Sequence, residues 1–121
     1  MSVSFTLYHN PRCSKSRATL ALLQNQQIEL DIIEYLDAPP KVETLNHILT
    51  LLGLEPRDLM RTNEPEYEAA NLHDESISRQ QLVAAMVAHP ILIQRPIVVR
   101  HDNSGDRAVV GRPPENVLEL L

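Results

Sequence analysis

A chain of 121 residues, 43% hydrophobic and 22% charged, has the length of one domain, expected to span 1–121. Its size buries roughly two-thirds of the unfolded surface, so no disulfide or metal is needed to hold a core. With one cysteine, no tryptophan, four other aromatic residues and a net charge of −5, it cannot form an intrachain disulfide and offers little for stacking on bases or neutralising phosphates. No apolar run of about 18 residues and no secretory leader is evident, so membrane and nucleic-acid roles are disfavoured and a cytoplasmic, reducing compartment is expected.

The predicted elements begin with a strand over Val3–Tyr8, where branched or aromatic residues alternate with polar ones up to the turn signal Asn10-Pro11. Ser14–Gln26 lacks Gly and Pro and carries Ala18, Leu20, Ala21, Leu22 and Leu23, which predicts a mostly buried helix. Ile28–Glu34 alternates as a second strand. Strand, helix and strand within about thirty residues form a βαβ unit, so these strands should be parallel.

The middle is helical. Behind Pro39-Pro40, Lys41–Leu52 places Val42, Leu45, Ile48, Leu49 and Leu52 on one stripe, and Gly53 stops it. Short pieces are expected at Glu55–Met60 and Glu66–Asn71. Ser78 and Gln81 fit a capping box that opens a helix ending before Pro90, with Leu82, Val83, Met86 and Val87 inward. Pro96–Arg100 then reads as a strand, His101–Asp106 as a turn, Arg107–Val110 as its antiparallel return, and Glu115–Leu121 as a short last helix. The order predicts one compact α/β sheet protein.

Charge is unevenly placed. Residues 1–28 carry +3 and no acid, whereas the other 93 carry −8. All three early bases, Arg12, Lys15 and Arg17, lie within four residues of Cys13, where a strand has ended and a helix begins. Unpaired N–H groups at a helix start favour both a thiolate and a bound oxyanion, and the three bases push the same way. The pattern points to an activated nucleophile or an anion site, and equally fits a solvated basic face beside a buried thiol. Ser16 stands where a dithiol Cys-x-x-Cys motif has its second cysteine. It can hydrogen-bond a sulfur anion or cap the first turn but cannot resolve a disulfide, so a redox cycle through Cys13 must borrow a thiol, with glutathione the cytosolic source. His9 reads as a loop-orienting residue or an acid–base group. Five scattered histidines and one cysteine show no ligand spacing, so no metal is expected.

Arg61 follows Leu59-Met60, Arg95 precedes Pro96 and an apolar strand, and Arg112 follows Val109-Val110-Gly111. An arginine fork matches tetrahedral oxyanions, although each alone reads as a surface or salt-bridge residue. Together with the block His9-Asn10-Pro11-Arg12-Cys13-Ser14-Lys15-Ser16-Arg17, the run His89–Val99 and Gly111-Arg112-Pro113, they resemble the glutathione/glutaredoxin-coupled arsenate reductase (ArsC) family, particularly its short YfgD-like branch, over essentially the whole chain.

The resemblance implies a thioredoxin-like three-layer α/β fold with a helical insertion between the βαβ unit and the C-terminal hairpin and helix. It implies Cys13 as nucleophile, Arg61, Arg95 and Arg112 as the arginines holding arsenate and its thiol adducts, His9 as the motif histidine, and Ser16 and Arg17 at the helix start. A cis bond at Arg95-Pro96, facing the cysteine, is expected on the same ground. Arsenate, glutathione and glutaredoxin would be the partners, glutathione serving as co-substrate with no bound cofactor, and the chain a monomer. Two departures stand out: Arg12 replaces a smaller residue of better-known arsenate reductases, and the stretch beyond Arg112 is shorter. Two alternatives remain: an Spx-like regulatory binding protein, and a general glutathione-linked thiol oxidoreductase.

Overall fold

The structure, a computed structural model, describes residues 3–121; the first two residues of the expected 1–121 domain lie outside the described residues. The chain forms two compact units, one comprising the chain up to Ala38 together with Arg95–Leu121, the other Pro39–Gln94.

The first unit is built on a four-stranded sheet of order β2-β1-β3-β4, with β1 at Ser4–His9, β2 at Glu29–Glu34, β3 at Ile97–His101 and β4 at Arg107–Val110. β1 and β2 are parallel, as a βαβ crossover requires, whereas β3 runs antiparallel to both β1 and β4. Strand period sends Phe5, Leu7 and His9 to one face. There Phe5, Leu7 and Val98 pack with Leu23 of helix α1 (Ser14–Gln24) and with Val117 and Leu120 of a 3-10 segment, Pro114–Leu120. The expected last helix is thus a tighter 3-10 coil. Arg100 lies over the Phe5 ring at 5.8 Å and donates to the Leu120 carbonyl, tying that coil to the sheet. The β3–β4 turn is organised by Asp102, which accepts from the Ser104 amide (2.8 Å), the Ser104 hydroxyl (2.6 Å) and Arg100 Nε (2.9 Å). On the opposite face Thr6 Oγ1 meets His101 Nε2 at 2.9 Å.

Helix α1 departs from expectation in which side it buries. Its fully inward residues are Ser16, Thr19 and Leu23, while Ala18 and Ala21 face solvent. It also ends at Gln24, with Asn25 as cap, two residues before the expected limit. Pro96 stands outside β3, which begins at Ile97; Pro has no N–H to give the ladder.

The second unit is helical. Helix α2 (Val42–Leu52) buries Leu45, Ile48 and Leu49 and ends at Gly53, whose φ of 67° is the left-handed conformation glycine adopts at low cost. A 3-10 turn at Pro56–Leu59, the short α3 at Pro65–Ala69 and α4 at Arg79–Ala88 follow. The Ser78/Gln81 capping box is present, Ser78 Oγ accepting from the Gln81 amide at 3.2 Å and Gln81 Oε1 from the Ser78 amide at 3.0 Å. A 3-10 turn at Pro90–Leu92, not foreseen from sequence, brings Ile93 opposite Met60 in an isolated antiparallel bridge. Among the described residues no helix is long and apolar enough to cross a membrane.

Candidate active site

Strand β1 ends at His9, and the chain turns through Asn10, Pro11 and Arg12 to reach Cys13. Asn10 makes the turn: its side-chain Oδ1 accepts from the Arg12 amide and its carbonyl from the Cys13 amide, both at 3.0 Å. Asn10 is itself buried, and its bond to the Arg12 amide is partly so.

Cys13 is the N-cap of α1, with extended backbone (φ −94°, ψ 123°), and no side-chain oxygen caps the helix. The first turn holds no acid. The free N–H groups and the positive end of the helix therefore face the half-buried sulfur without a competing carboxylate. Burial alone pushes the thiol up. It is outweighed by the Ser16 amide, by the Arg95 guanidinium and by the Lys15 amide, leaving the Cys13 thiol below its ordinary value.

His9 and Ser16 hold this turn to the helix. Because His9 shares a sheet face with Phe5 and Leu7, its ring points toward α1, where Nδ1 meets Ser16 Oγ at 2.7 Å. The same Oγ accepts the Asn10 amide at 3.0 Å, so one hydroxyl joins the histidine ring to the loop backbone. Burial lowers the His9 pKa, the nearby Glu34 charge opposes that shift and Arg17 adds to it, so the neutral ring is favoured at pH 7. His9 is thereby engaged as an orienting group. Arg17 is exposed and donates to the Pro11 carbonyl at 2.9 Å, clamping the loop from outside.

Arg95 and Arg112 reach the same region on two neighbouring turns. Both Arg95–Pro96 and Arg112–Pro113 are cis; the second was not anticipated. Arg112 is exposed and donates from Nη1 to the Arg95 carbonyl at 3.3 Å. Two nitrogens of Arg95, Nε and Nη1, are buried with no acceptor among the described residues. A buried cationic donor with no partner is costly, and an anion is the natural complement.

Arg61 sits in the helical unit. Its Nε pairs with Glu64 Oε1 at 2.9 Å, each side chain about one-fifth exposed (19% and 21%), and its Nη1 reaches Gln94 Oε1 at 3.4 Å.

Three residues that shape the site were missed by the sequence reading. Gly111 donates its amide to the Pro96 carbonyl at 2.9 Å and lies against Thr19 of α1, so the Arg95 and Arg112 turns meet on one helix face. Asn116 Nδ2 donates to the Val110 and Arg112 carbonyls at 3.3 and 3.2 Å, holding the second turn. Only the Gly-Arg-Pro string hinted at the first; nothing in the sequence marked Thr19 or Asn116.

A family model described as ArsC family matches residues 8–120. The chain is 45% identical over 122 residues to the uncharacterized protein YfgD of Escherichia coli (strain K12), covering all of this chain and 99% of that one. It is also 45% identical over 120 residues to an arsenate reductase of Haemophilus influenzae, covering 98% and 100% of the two chains. Among solved structures, an arsenate reductase from Vibrio cholerae matches with a TM-score of 0.88 and 50% identity over the whole of both chains. A cysteine loop at the head of α1, a sheet of order β2-β1-β3-β4 and relatives matched from end to end agree: on a thioredoxin-like fold, the chain belongs to the ArsC family.

Proposed function

We propose that the protein is an arsenate reductase working through Cys13, with glutathione and glutaredoxin as its reductants. The observation that carries this reading is the Arg95 guanidinium, which holds the Cys13 thiol below its ordinary value while two of its buried nitrogens lack an acceptor among the described residues. Arsenate would supply that acceptor. Two unit charges of like sign 4 Å apart repel by about 4 kcal/mol at an effective dielectric of 20. A thiolate therefore needs fixed positive charge to approach an oxyanion. Arg95, the exposed Arg112 and the helix N-terminus answer that need. Arg61, held by Glu64 and Gln94 in its own unit, joins the reading on the family resemblance alone.

In the proposed reaction the Cys13 thiolate attacks As(V), an S–As bond forms and one arsenate oxygen leaves as water after protonation. The thiolate of glutathione then attacks Cys13 Sγ. A sulfur–sulfur bond forms, the S–As bond breaks, and its electron pair stays on arsenic, which departs as As(III). A glutaredoxin thiol reduces the remaining mixed disulfide. Ser16 has no sulfur and is already bonded to His9 and Asn10, which supports an external resolving thiol.

The test is arsenate-dependent NADPH oxidation with glutathione, glutaredoxin and glutathione reductase. Wild-type turnover is expected, with none for Cys13→Ser, a rise in the KM for arsenate for Arg61→Ala and a large loss for Arg95→Lys, which keeps the charge but not the fork. Turnover by Cys13→Ser equal to wild type refutes the mechanism. A glutathionylated peptide in the same assay separates arsenate reduction from general thiol exchange.

A further inference from the structure

Beside the nucleophile loop, on the side of β2, lies an open cleft of about 270 Å³ whose lining includes His9, Asn10, Arg12, Glu34, Leu36 and Asp37. Its charges are of both signs, and they are not spent on one another. Among the described residues, the Arg12 guanidinium and the Glu34 and Asp37 carboxylates make no ion pair or hydrogen bond. Arg12 and Asp37 stand on turns pinned by backbone bonds, and Glu34 ends strand β2. The Arg12 amide is held by Asn10 Oδ1 at 3.0 Å, and the Asp37 and Ala38 amides both donate to the Glu34 carbonyl at 3.0 Å. Holding the backbone beneath unpaired charges lowers the ordering a ligand must impose on them.

Two carboxylates would repel arsenate, so this cleft is unsuited to the oxyanion. A purely cationic ligand would have no use for Arg12, nor an anionic one for Glu34 and Asp37. Their combination fits a zwitterion carrying a carboxylate and an ammonium a few bonds apart. The volume falls near the lower end of small-molecule sites (roughly 300–1,000 Å³), which suits part of a small peptide. Arg12 immediately precedes Cys13, with Cα atoms about 3.8 Å apart. A thiol ligand held here is thus delivered next to the sulfur.

We propose that this cleft seats the amino-acid end of the thiol co-substrate, Arg12 binding its carboxylate and Asp37 with Glu34 its ammonium. The assignment rests on the thiol-dependent reading above and names the place where that co-substrate docks.

The probe is S-methylglutathione, which binds but cannot react, titrated into the reduced wild-type protein and followed by amide NMR shifts. Shifts centred on Leu36, Asp37 and Arg12 are expected. Arg12→Ala and Asp37→Asn should each weaken binding about fivefold, the worth of an exposed ion pair. The N-acetylated probe, which has no ammonium, should bind wild type and Asp37→Asn alike. In the coupled assay both variants should raise the KM for glutathione and leave that for arsenate unchanged. No binding, shifts confined to other surfaces, or wild-type affinity in both variants overturns the site even if arsenate turnover is robust. Cleft binding with the expected losses but no arsenate turnover leaves the site standing and overturns the functional reading instead.

Discussion

A methyl group added at Gly111 would strike two elements at once. A Cβ there would lie 2.7 Å from Thr19 Oγ1, 2.8 Å from Pro96 Cγ and 3.3 Å from Thr19 Cγ2, whereas carbon atoms in comfortable contact are about 3.5–4.0 Å apart. Neither neighbour is a free side-chain end: Thr19 is fully buried on α1, and Pro96 is a ring fixed to the backbone. Gly111→Ala must therefore push the Arg112 turn off the helix, the overpacking case that costs about 1–3 kcal/mol. For a chain of this size that lowers Tm by about 3–15 °C. Differential scanning calorimetry reads the loss, and pH-dependent alkylation of Cys13 reads whether the Arg95 turn moved with it. Adding Thr19→Ala removes two of the three clashes and, because Thr19 Oγ1 has no hydrogen-bond partner among the described residues, sacrifices no bond. The double variant should recover part of the lost Tm, the clash with Pro96 remaining. An unchanged Tm for Gly111→Ala, or a double variant no better than the single, would refute the close-approach account.

Other outcomes follow from the site. Iodoacetamide alkylation of Cys13 should show a midpoint below that of an ordinary thiol, and Arg95→Met should move it upward; an unmoved midpoint would mean Arg95 does not stabilise the thiolate. Because the folded thiol is depressed, its contribution to stability is present above the unfolded thiol range and lost as pH falls through the folded value, and Arg95→Met should flatten that dependence. Ser16→Ala leaves the buried Asn10 amide without its acceptor and should cost about 1–3 kcal/mol by urea denaturation. The Asp102 carboxyl, held to about 2 by the Ser104 hydroxyl and amide and by Arg100, should titrate there by carbon-detected NMR, and Ser104→Ala should raise it. Its stabilising effect is present above the usual carboxylate range and fades as pH drops through about 2.

Much of the architecture was readable because the relevant signals are local. The parallel β1–β2 pair follows from the spacing of two alternating runs around a helical one, the α4 start from Ser78 and Gln81, and the α2 end from Gly53. What failed is instructive at α1. Counting apolar letters favours Ala18 and Ala21, yet the buried positions are Ser16 and Thr19, because the inward side of its first turns meets backbone and a histidine ring. Periodicity measures hydrophobicity, and a hydroxyl buried by hydrogen bonding or close packing is invisible to it. Gly111 and Asn116 escaped for a related reason: their roles are contacts with residues far along the chain, and a single glycine or asparagine near a turn has many meanings. Within the site, the basic residues around Cys13 were legible as a cluster, but their work was not. Arg12 and Arg17 are exposed, Lys15 contributes its amide, and the cation that lowers the Cys13 thiol is Arg95, more than eighty residues away.

The double engagement of Ser16 also limits how this protein could change. Thioredoxin-like chains are one substitution from a self-sufficient dithiol when the fourth position of the motif is free, but here that oxygen already ties the turn to the strand's last residue. A sulfur in its place would be a larger and weaker acceptor, so gaining a second thiol there would loosen the same loop that holds Cys13. On the proposed mechanism, reliance on a borrowed thiol is thus tied to the hinge between strand and helix, and an engineer seeking an internal resolving group would have to rebuild His9, Asn10 and Ser16 as a set.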